Sequence, residues 1–288
     1  MNSKTLNKTK ISIAHSPDAD DAFMFYALTN NLVDSNGFEI ENILKDIQTL
    51  NEDAHTLKYD VSAVSFNAYT ELDKDYQLLS CGGSLGYGYG PTIISKKGKT
   101  LKDFLNDKNK TIAIPGEKTT AFLLLQIFDS SFNHIVVPFD QIIDYVLNND
   151  NVYGLLIHEG QLSYESHGLN LICDLGKWWL DETNLPVPLG GNIIKRTFSD
   201  DAKKQINKVI KNSIEYGLKN KETVVPAVKG YAREIEKDLS LVDKFVGMYV
   251  NDYTVDYGDE GRKAIKTLYE KAFSKGLIQK IPQLDFVQ

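Results

Sequence analysis

Val152-Tyr153-Gly154-Leu155-Leu156-Ile157-His158-Glu159 is an apolar, partly β-branched run that stops abruptly at a histidine and a glutamate. A continuous apolar run of this length, with Gly160 just beyond it, predicts a buried strand of a parallel sheet. In an open α/β sheet, ligands gather outside the carboxyl ends of the strands. His158 therefore stands where a substrate would be met, and imidazole moves protons near neutral pH. The plainer alternative is a strand-end histidine that only hydrogen-bonds a neighbouring loop. Glu159 is expected to point to the opposite face, as strand neighbours do, and to take no part in catalysis.

The preceding chain has the rhythm of such a fold. Residues 10–14 form a first strand that ends at His15-Ser16-Pro17. Asp18-Ala19-Asp20-Asp21 leads into an apolar helix over 22–28. Acidic residues at a helix start complement its dipole and cap its free amides. Capping accounts for one or two of these carboxylates; three in four positions leave a ligand-facing role open for at least one. Residues 38–44 alternate as a strand, 47–57 read as a helix, 59–65 as a strand ending at Ser65, 66–76 as a helix and 77–81 as a strand. This βα alternation implies a mostly parallel sheet.

Gly82-Gly83-Ser84-Leu85-Gly86-Tyr87-Gly88-Tyr89-Gly90-Pro91 interrupts the alternation. It matches neither G-x-G-x-x-G nor a P-loop, because Pro91 and the strand Thr92-Ile93-Ile94-Ser95 follow where a helix should open. It reads either as a floor beneath a ligand leading into an interdomain crossing, or as a plain glycine-rich loop. Further on, a strand over 111–114 turns at Pro115-Gly116, and Thr119-Thr120 opens an apolar helix. Free amides, the helix dipole and two hydroxyls make a receptor for a carboxylate or phosphate there; alternatively Thr119 is only an N-cap. Trp178 and Trp179 read as core or hinge packing.

A second crossing, Pro186-Val187-Pro188-Leu189-Gly190-Gly191, leads back, and from Ser199 onward the pattern is helical. The two crossings divide the chain into a larger lobe of residues 1–93 plus 192–288 and an inserted smaller lobe of 94–191. A cleft between lobes joined by two strands suits a small molecule.

Composition narrows the function. The chain has 288 residues, 42% hydrophobic and 25% charged, with a net charge of −7. Its lysines are scattered, the densest group being Lys96-Lys97-Gly98-Lys99, so a nucleic-acid partner is not expected. Two cysteines, Cys81 and Cys173, lie far apart without metal-ligand spacing, which argues against a zinc site or a disulfide framework. No apolar stretch follows the polar residues 1–10 and none approaches the length of a membrane span, so a soluble, cytoplasmic protein without a membrane partner is expected. The pattern specifies no oligomeric state.

Several motifs occur in one order: Ser16-Pro17 with an acidic residue before Phe23, Asp46-Ile47-Gln48-Thr49-Leu50-Asn51, Val64-Ser65-Phe66-Asn67-Ala68-Tyr69, Gly82-Gly83-Ser84-Leu85-Gly86, Gly88-Tyr89-Gly90-Pro91, Pro115-Gly116 with Thr119-Thr120-Ala121, Ile157-His158-Glu159 and Leu185-Pro186-Val187-Pro188-Leu189-Gly190. Together they resemble the 1,4-dihydroxy-6-naphthoate synthases of the futalosine route to menaquinone. The resemblance implies a two-lobed α/β fold like that of type II periplasmic binding proteins. It implies a carbon–carbon lyase that cleaves cyclic dehypoxanthine futalosine, a small-molecule carboxylate, without metal or redox cofactor. His158 would be the general base, and Ser16, Asp20, Ala63, Val64, Ser65, Gly90, Thr119, Thr120 and Gly190 would bind substrate. The chain departs from the family where Ser-Pro-Cys-Pro-Asn-Asp becomes Ser16-Pro17-Asp18-Ala19-Asp20-Asp21, and where a lysine becomes Ala63. Losing that cation removes a partner for the substrate carboxylate and leaves Ala63 only its backbone. Two alternatives remain on the same fold: the chorismate dehydratase of the same pathway, and a cytoplasmic small-molecule-binding protein.

Overall fold

The computed structural model describes residues 9–288, so the polar opening over residues 1–8 lies outside the described residues. The chain runs β1 (Thr9–His15), α1 (Ala19–Thr29), β2 (Phe38–Leu44), α2 (Ile47–His55), β3 (Val61–Ser65), α3 (Phe66–Tyr69), β4 (Tyr76–Leu78) and β5 (Ser84–Gly86). It crosses to β6 (Thr92–Lys96), α4 (Leu101–Asn106), β7 (Thr111–Ile114), α5 (Thr120–Phe128), β8 (Asn133–Val136), α6 (Ile142–Asn148), β9 (Val152–Leu156), α7 (Gly160–Ser163), β10 (Leu169–Asp174) and α8 (Leu175–Thr183). β11 (Val187–Lys195) returns, followed by α9 (Asp200–Lys219), α10 (Lys221–Val228), α11 (Leu239–Tyr249), α12 (Asp252–Val255) and α13 (Gly258–Ser274).

Two sheets result. The first has the order β2-β1-β3-β11-β4, with β5 also on β11; the second has the order β10-β6-β9-β7-β8. β1, β2 and β3 pair in parallel, as do β7 with β8 and β9. β11 and β6, the strands that follow the two crossings, pair antiparallel to their neighbours. The sheets are therefore mixed rather than mostly parallel, because the crossing strands enter against the local direction.

The expected lobe boundaries fall inside strands. Thr92 and Ile93 already pair with Leu156 and Leu155 in the second sheet. Val187 and Pro188 pair with Gly86 and Leu85, and Gly190 with Ser65, in the first sheet. The crossings are the segments between β5 and β6 and between α8 and β11.

The larger lobe buries Ile11 and Ile13 of β1 with Phe23 and Phe25 of α1 against Ile206, Ile210 and Ile214 of α9. Each such side chain contributes roughly 1.5–3 kcal/mol on leaving water. A second cluster runs through both lobes, from Phe66 and Tyr257 to Phe104, Tyr153 and Trp179. Trp179 is buried at the return crossing, where its indole N–H donates to the Pro186 carbonyl at 3.0 Å. Trp178 packs on Phe128, with ring centroids 5.1 Å apart.

The helix expected over 66–76 stops at Tyr69. The Thr70 hydroxyl donates to the Asn67 carbonyl at 2.6 Å, and the turn that follows presents Asp73 to Lys280, 2.7 Å away, and to the Gln283 amide at 3.0 Å. A helix continuing through Asp73 would forfeit this tie to the C-terminal segment.

Candidate active site

The ends of β1 and β3, the starts of α1 and α5, and the β11 crossing enclose one cleft of about 740 Å³, part of it open to solvent. Ser16, Asp20, Ala63, Val64, Ser65, Thr119, Thr120 and Gly190 line it together. Gly90 and His158 are not among the lining residues, although their neighbours Pro91 and Ile157 are. Gly90 is a glycine for another reason: a Cβ there would sit 2.9 Å from the Gly176 Cα, so the crossing packs backbone to backbone on the start of α8.

The α1 wall is acidic. Beyond β1, the Ser16 amide donates to Asp21 at 2.7 Å and the Ser16 hydroxyl donates to the Asp18 carboxylate. Burial, then the charges of Asp21 and Asp18, hold the Asp20 carboxyl well above its ordinary range. Burial likewise lifts Asp21 to about 7, against the opposing Ser16 amide. His15 stacks on Phe25 with centroids 4.3 Å apart, and burial lowers its pKa to about 4. Among the described residues, no lysine, arginine or histidine lines the cleft, so nothing in the wall replaces the family lysine at Ala63.

The opposite wall donates. The Ser65 amide donates to Asn51 Oδ1 at 2.8 Å, and Asn51 Nδ2 donates to the Ser65 hydroxyl oxygen at 3.2 Å. Thr119 caps α5: its hydroxyl donates to the Gly116 carbonyl at 2.7 Å and accepts from the Phe122 amide at 3.2 Å. The Thr120 hydroxyl donates to the Leu189 carbonyl and accepts from the Asn67 amide at 3.3 Å. A hydroxyl has one proton, so neither threonine side chain retains a donor for an anion. What remains is the backbone: the Thr120 and Ala121 amides open α5, where helix geometry supplies no intrahelical acceptor and the dipole is positive. Of the amides and hydroxyls expected to receive an anion there, the hydroxyls are thus committed to the protein and the amides of Thr120 and Ala121 are left.

His158 lies two residues beyond β9, buried beside the cleft. Its Nε2 is 2.7 Å from the Phe139 carbonyl, which can only accept, so in the neutral ring Nε2 carries the proton and Nδ1 the lone pair. Nδ1 accepts from the Gly160 amide at 3.2 Å, with Glu159 Oε2 at 3.4 Å. Burial alone would lower the His158 pKa, but the Glu159 carboxylate, the Phe139 carbonyl and Asp18 outweigh it and the net shift is upward. Burial would raise Glu159, and its contacts with His158 and Arg233 reverse that to a net lowering. The expectation that Glu159 faces away is corrected here: strand alternation ends with Leu156, and the turn into α7 brings both side chains to the same side.

Arg233 is the functional candidate that local sequence patterns did not reveal. Its Nη1 reaches Asp18 at 2.8 Å and Glu159 at 3.2 Å, and its guanidinium lies 4.5 Å from the centre of the Phe139 ring. It comes from the short segment between α10 and α11, and no motif marks it. Tyr249 at the end of α11 also lines the cleft and donates to Gln161 of α7 at 2.8 Å. Among the described residues, no three His, Cys, Asp or Glu side chains are grouped to hold a metal ion, and no helix is long and apolar enough to cross a membrane.

A protein family described as menaquinone biosynthesis matches residues 11–274. The 1,4-dihydroxy-6-naphtoate synthase of Thermus thermophilus is 31% identical over 277 residues, covering 96% of this chain and 99% of that protein. The enzyme of the same name from Streptomyces coelicolor is 31% identical over 274 residues, covering 93% and 94%. A crystal structure from Archaeoglobus fulgidus is 43% identical with a TM-score of 0.87, over 93% of this chain and 98% of that one. The ligand-binding component of an ABC-type import system from Staphylococcus aureus reaches a TM-score of 0.72 at 14% identity, covering 97% and 96%. With the generic periplasmic binding protein fold described for a Candida albicans protein, at a TM-score of 0.71 and 12% identity over 94% and 91%, it identifies the architecture as the two-lobed periplasmic-binding-protein-like fold.

Proposed function

The chain belongs to the menaquinone biosynthesis family, and on that premise we propose that it is a lyase converting cyclic dehypoxanthine futalosine to 1,4-dihydroxy-6-naphthoate, with His158 as general base. The observation that carries this reading is the convergence of positions from Ser16 to Gly190 on one interlobe cleft, beside an imidazole whose tautomer is fixed. With Nε2–H held by Phe139, the basic nitrogen is Nδ1. A ligand that displaces the Gly160 amide meets its lone pair. When Nδ1 takes a proton from the substrate, Glu159 stabilises the imidazolium. Such a base supplies roughly a 10²–10⁴-fold share of the rate. The sugar-derived fragment departs as the naphthalene ring becomes aromatic, so much of the driving force belongs to the substrate.

The substrate carboxylate takes no part in the chemistry and serves to position the reacting centre. The amides opening α5 suit it, each charge-assisted bond being worth roughly 1.5–3 kcal/mol. A neutral Asp20 suits it as well, since a protonated carboxyl tolerates an anion and donates one hydrogen bond. That would replace the donor lost with the amide the family carries there. The names of both relatives favour the naphthoate synthase over the chorismate dehydratase. Incubating the purified protein with cyclic dehypoxanthine futalosine and following the naphthoate by mass and absorbance tests the reading. Absence of product, or turnover of chorismate instead, overturns it.

A further inference from the structure

Arg233 touches three of the groups that surround His158. Its Nη1 is 3.2 Å from Glu159, the carboxylate beside the imidazole, and 2.8 Å from Asp18, which follows β1 in the larger lobe. Its guanidinium covers the face of Phe139, whose ring meets the imidazole edge-on at 5.0 Å and whose carbonyl holds Nε2. Arg233 holds this position with a φ of +39°, in the left-handed region that residues with a Cβ adopt at a cost.

The charge balance explains why a cation is needed. Among the described residues, Glu159 and Asp18 are the charged groups that act on His158. The other elements packed against the ring present a carbonyl from Phe139 and an amide from Gly160. Two carboxylates and no fixed cation would hold the imidazole in its protonated form, which cannot act as a base. Arg233 lies between the two carboxylates and offsets them. Because Asp18 follows β1 and Glu159 follows β9, this balance exists only while the lobes are together.

We propose that Arg233 is a positioning residue which, by pairing with Asp18 and Glu159 at once, makes His158 a competent base only in the closed cleft. This rests on His158 acting as the base in the proposed reaction.

Arg233→Met keeps the length of the stem and removes the charge; Arg233→Lys keeps the charge and loses the fork and the stack. The readouts are the NMR titration of the His158 imidazole without substrate and the pH dependence of kcat and KM. In Arg233→Met the imidazole should titrate at higher pH and the acidic limb of kcat/KM should move the same way. At pH 7, kcat should fall at least tenfold while KM changes less than threefold, and Arg233→Lys should recover part of kcat. A His158 titration and kcat unchanged in Arg233→Met overturn the inference. If Arg233→Met does not fold, Arg233→Lys decides: wild-type kcat and titration there overturn it. If the wild type does not turn over the futalosine, the reaction assignment fails while the titration still tests the arginine. If wild-type turnover stands and Arg233→Met titrates as wild type, only the inference falls.

Discussion

Nδ1 of His158 and Oε2 of Glu159 lie 3.4 Å apart, both side chains buried. The pKa of the histidine is raised and that of the glutamate lowered, so the pair favours imidazolium and carboxylate. A raised histidine pKa adds stability that is fully present below the unfolded value of 6.5 and is lost as pH rises through the folded value. For a base, the same shift places the acidic limb of the rate profile above that of a free imidazole. Glu159→Gln removes the largest raising influence, so the limb should move to lower pH while kcat falls about tenfold. A pH–rate profile measures both, and an unmoved limb would separate Glu159 from the base.

His158→Gln should fold and bind ligand as the wild type does, because a glutamine amide can still donate towards the Phe139 carbonyl. Turnover should fall by roughly 10²–10⁴. Steady-state kinetics beside calorimetric binding of the naphthoate product separate the two. Turnover within threefold of wild type removes His158 from the mechanism.

Asp20 and Asp21 have a cost that depends on pH. Both pKa values are raised, Asp21 to about 7 from 3.8, so between those values the folded state binds more protons than the unfolded state. Stability therefore declines as pH rises from about 4 and levels off once the folded values are passed. Asp20→Asn keeps the shape and removes one of these ionisations. Its melting temperature should exceed that of wild type more at pH 8 than at pH 5, and naphthoate affinity should hold to higher pH. Parallel melting and affinity curves for the two proteins across this range would show that Asp20 is not held neutral.

The threonines opening α5 should act on stability first. Thr119→Val removes the N-cap, a loss of about 1 kcal/mol, and leaves the Gly116 carbonyl only the backbone amide of position 119, at 3.3 Å. Thr120→Val removes the bond to Leu189. Both should lower the melting temperature while KM changes less than tenfold, because the Thr120 and Ala121 amides remain. A KM raised more than tenfold with an unchanged melting temperature would return the hydroxyls to ligand binding.

The fold is legible because its local signals agree with its topology: residues 38–44 alternate and form β2, the apolar run before His158 is β9, and the first glycine–proline stretch leads into β6, whereas most of the second already belongs to β11. The cleft wall is legible for a related reason, since strand ends and helix starts carry their own turn chemistry at Ser16, Ser65 and Thr119. Glu159 departs from expectation because strand alternation does not extend past the end of β9. Gly90 departs because a glycine admitting a ligand and one admitting another backbone look alike until Gly176 is placed beside it. Arg233 leaves no local signal, since its partner Asp18 is 215 positions away. Its role arises only when two lobes and a helical segment meet.

β11 lies between β3 and β4, whereas every strand of the second sheet comes from one continuous stretch. A chain leaving the ribosome can therefore complete the inserted sheet while the first still lacks its inner strand. Until residues 187–195 emerge, β3 presents an open edge of unpaired amides and carbonyls, the kind of edge on which chains aggregate. Domains fold as units during synthesis, and non-local pairing is slow. This order of emergence predicts that the smaller lobe folds first and that the larger lobe, with its acidic wall and Arg233, is assembled around it.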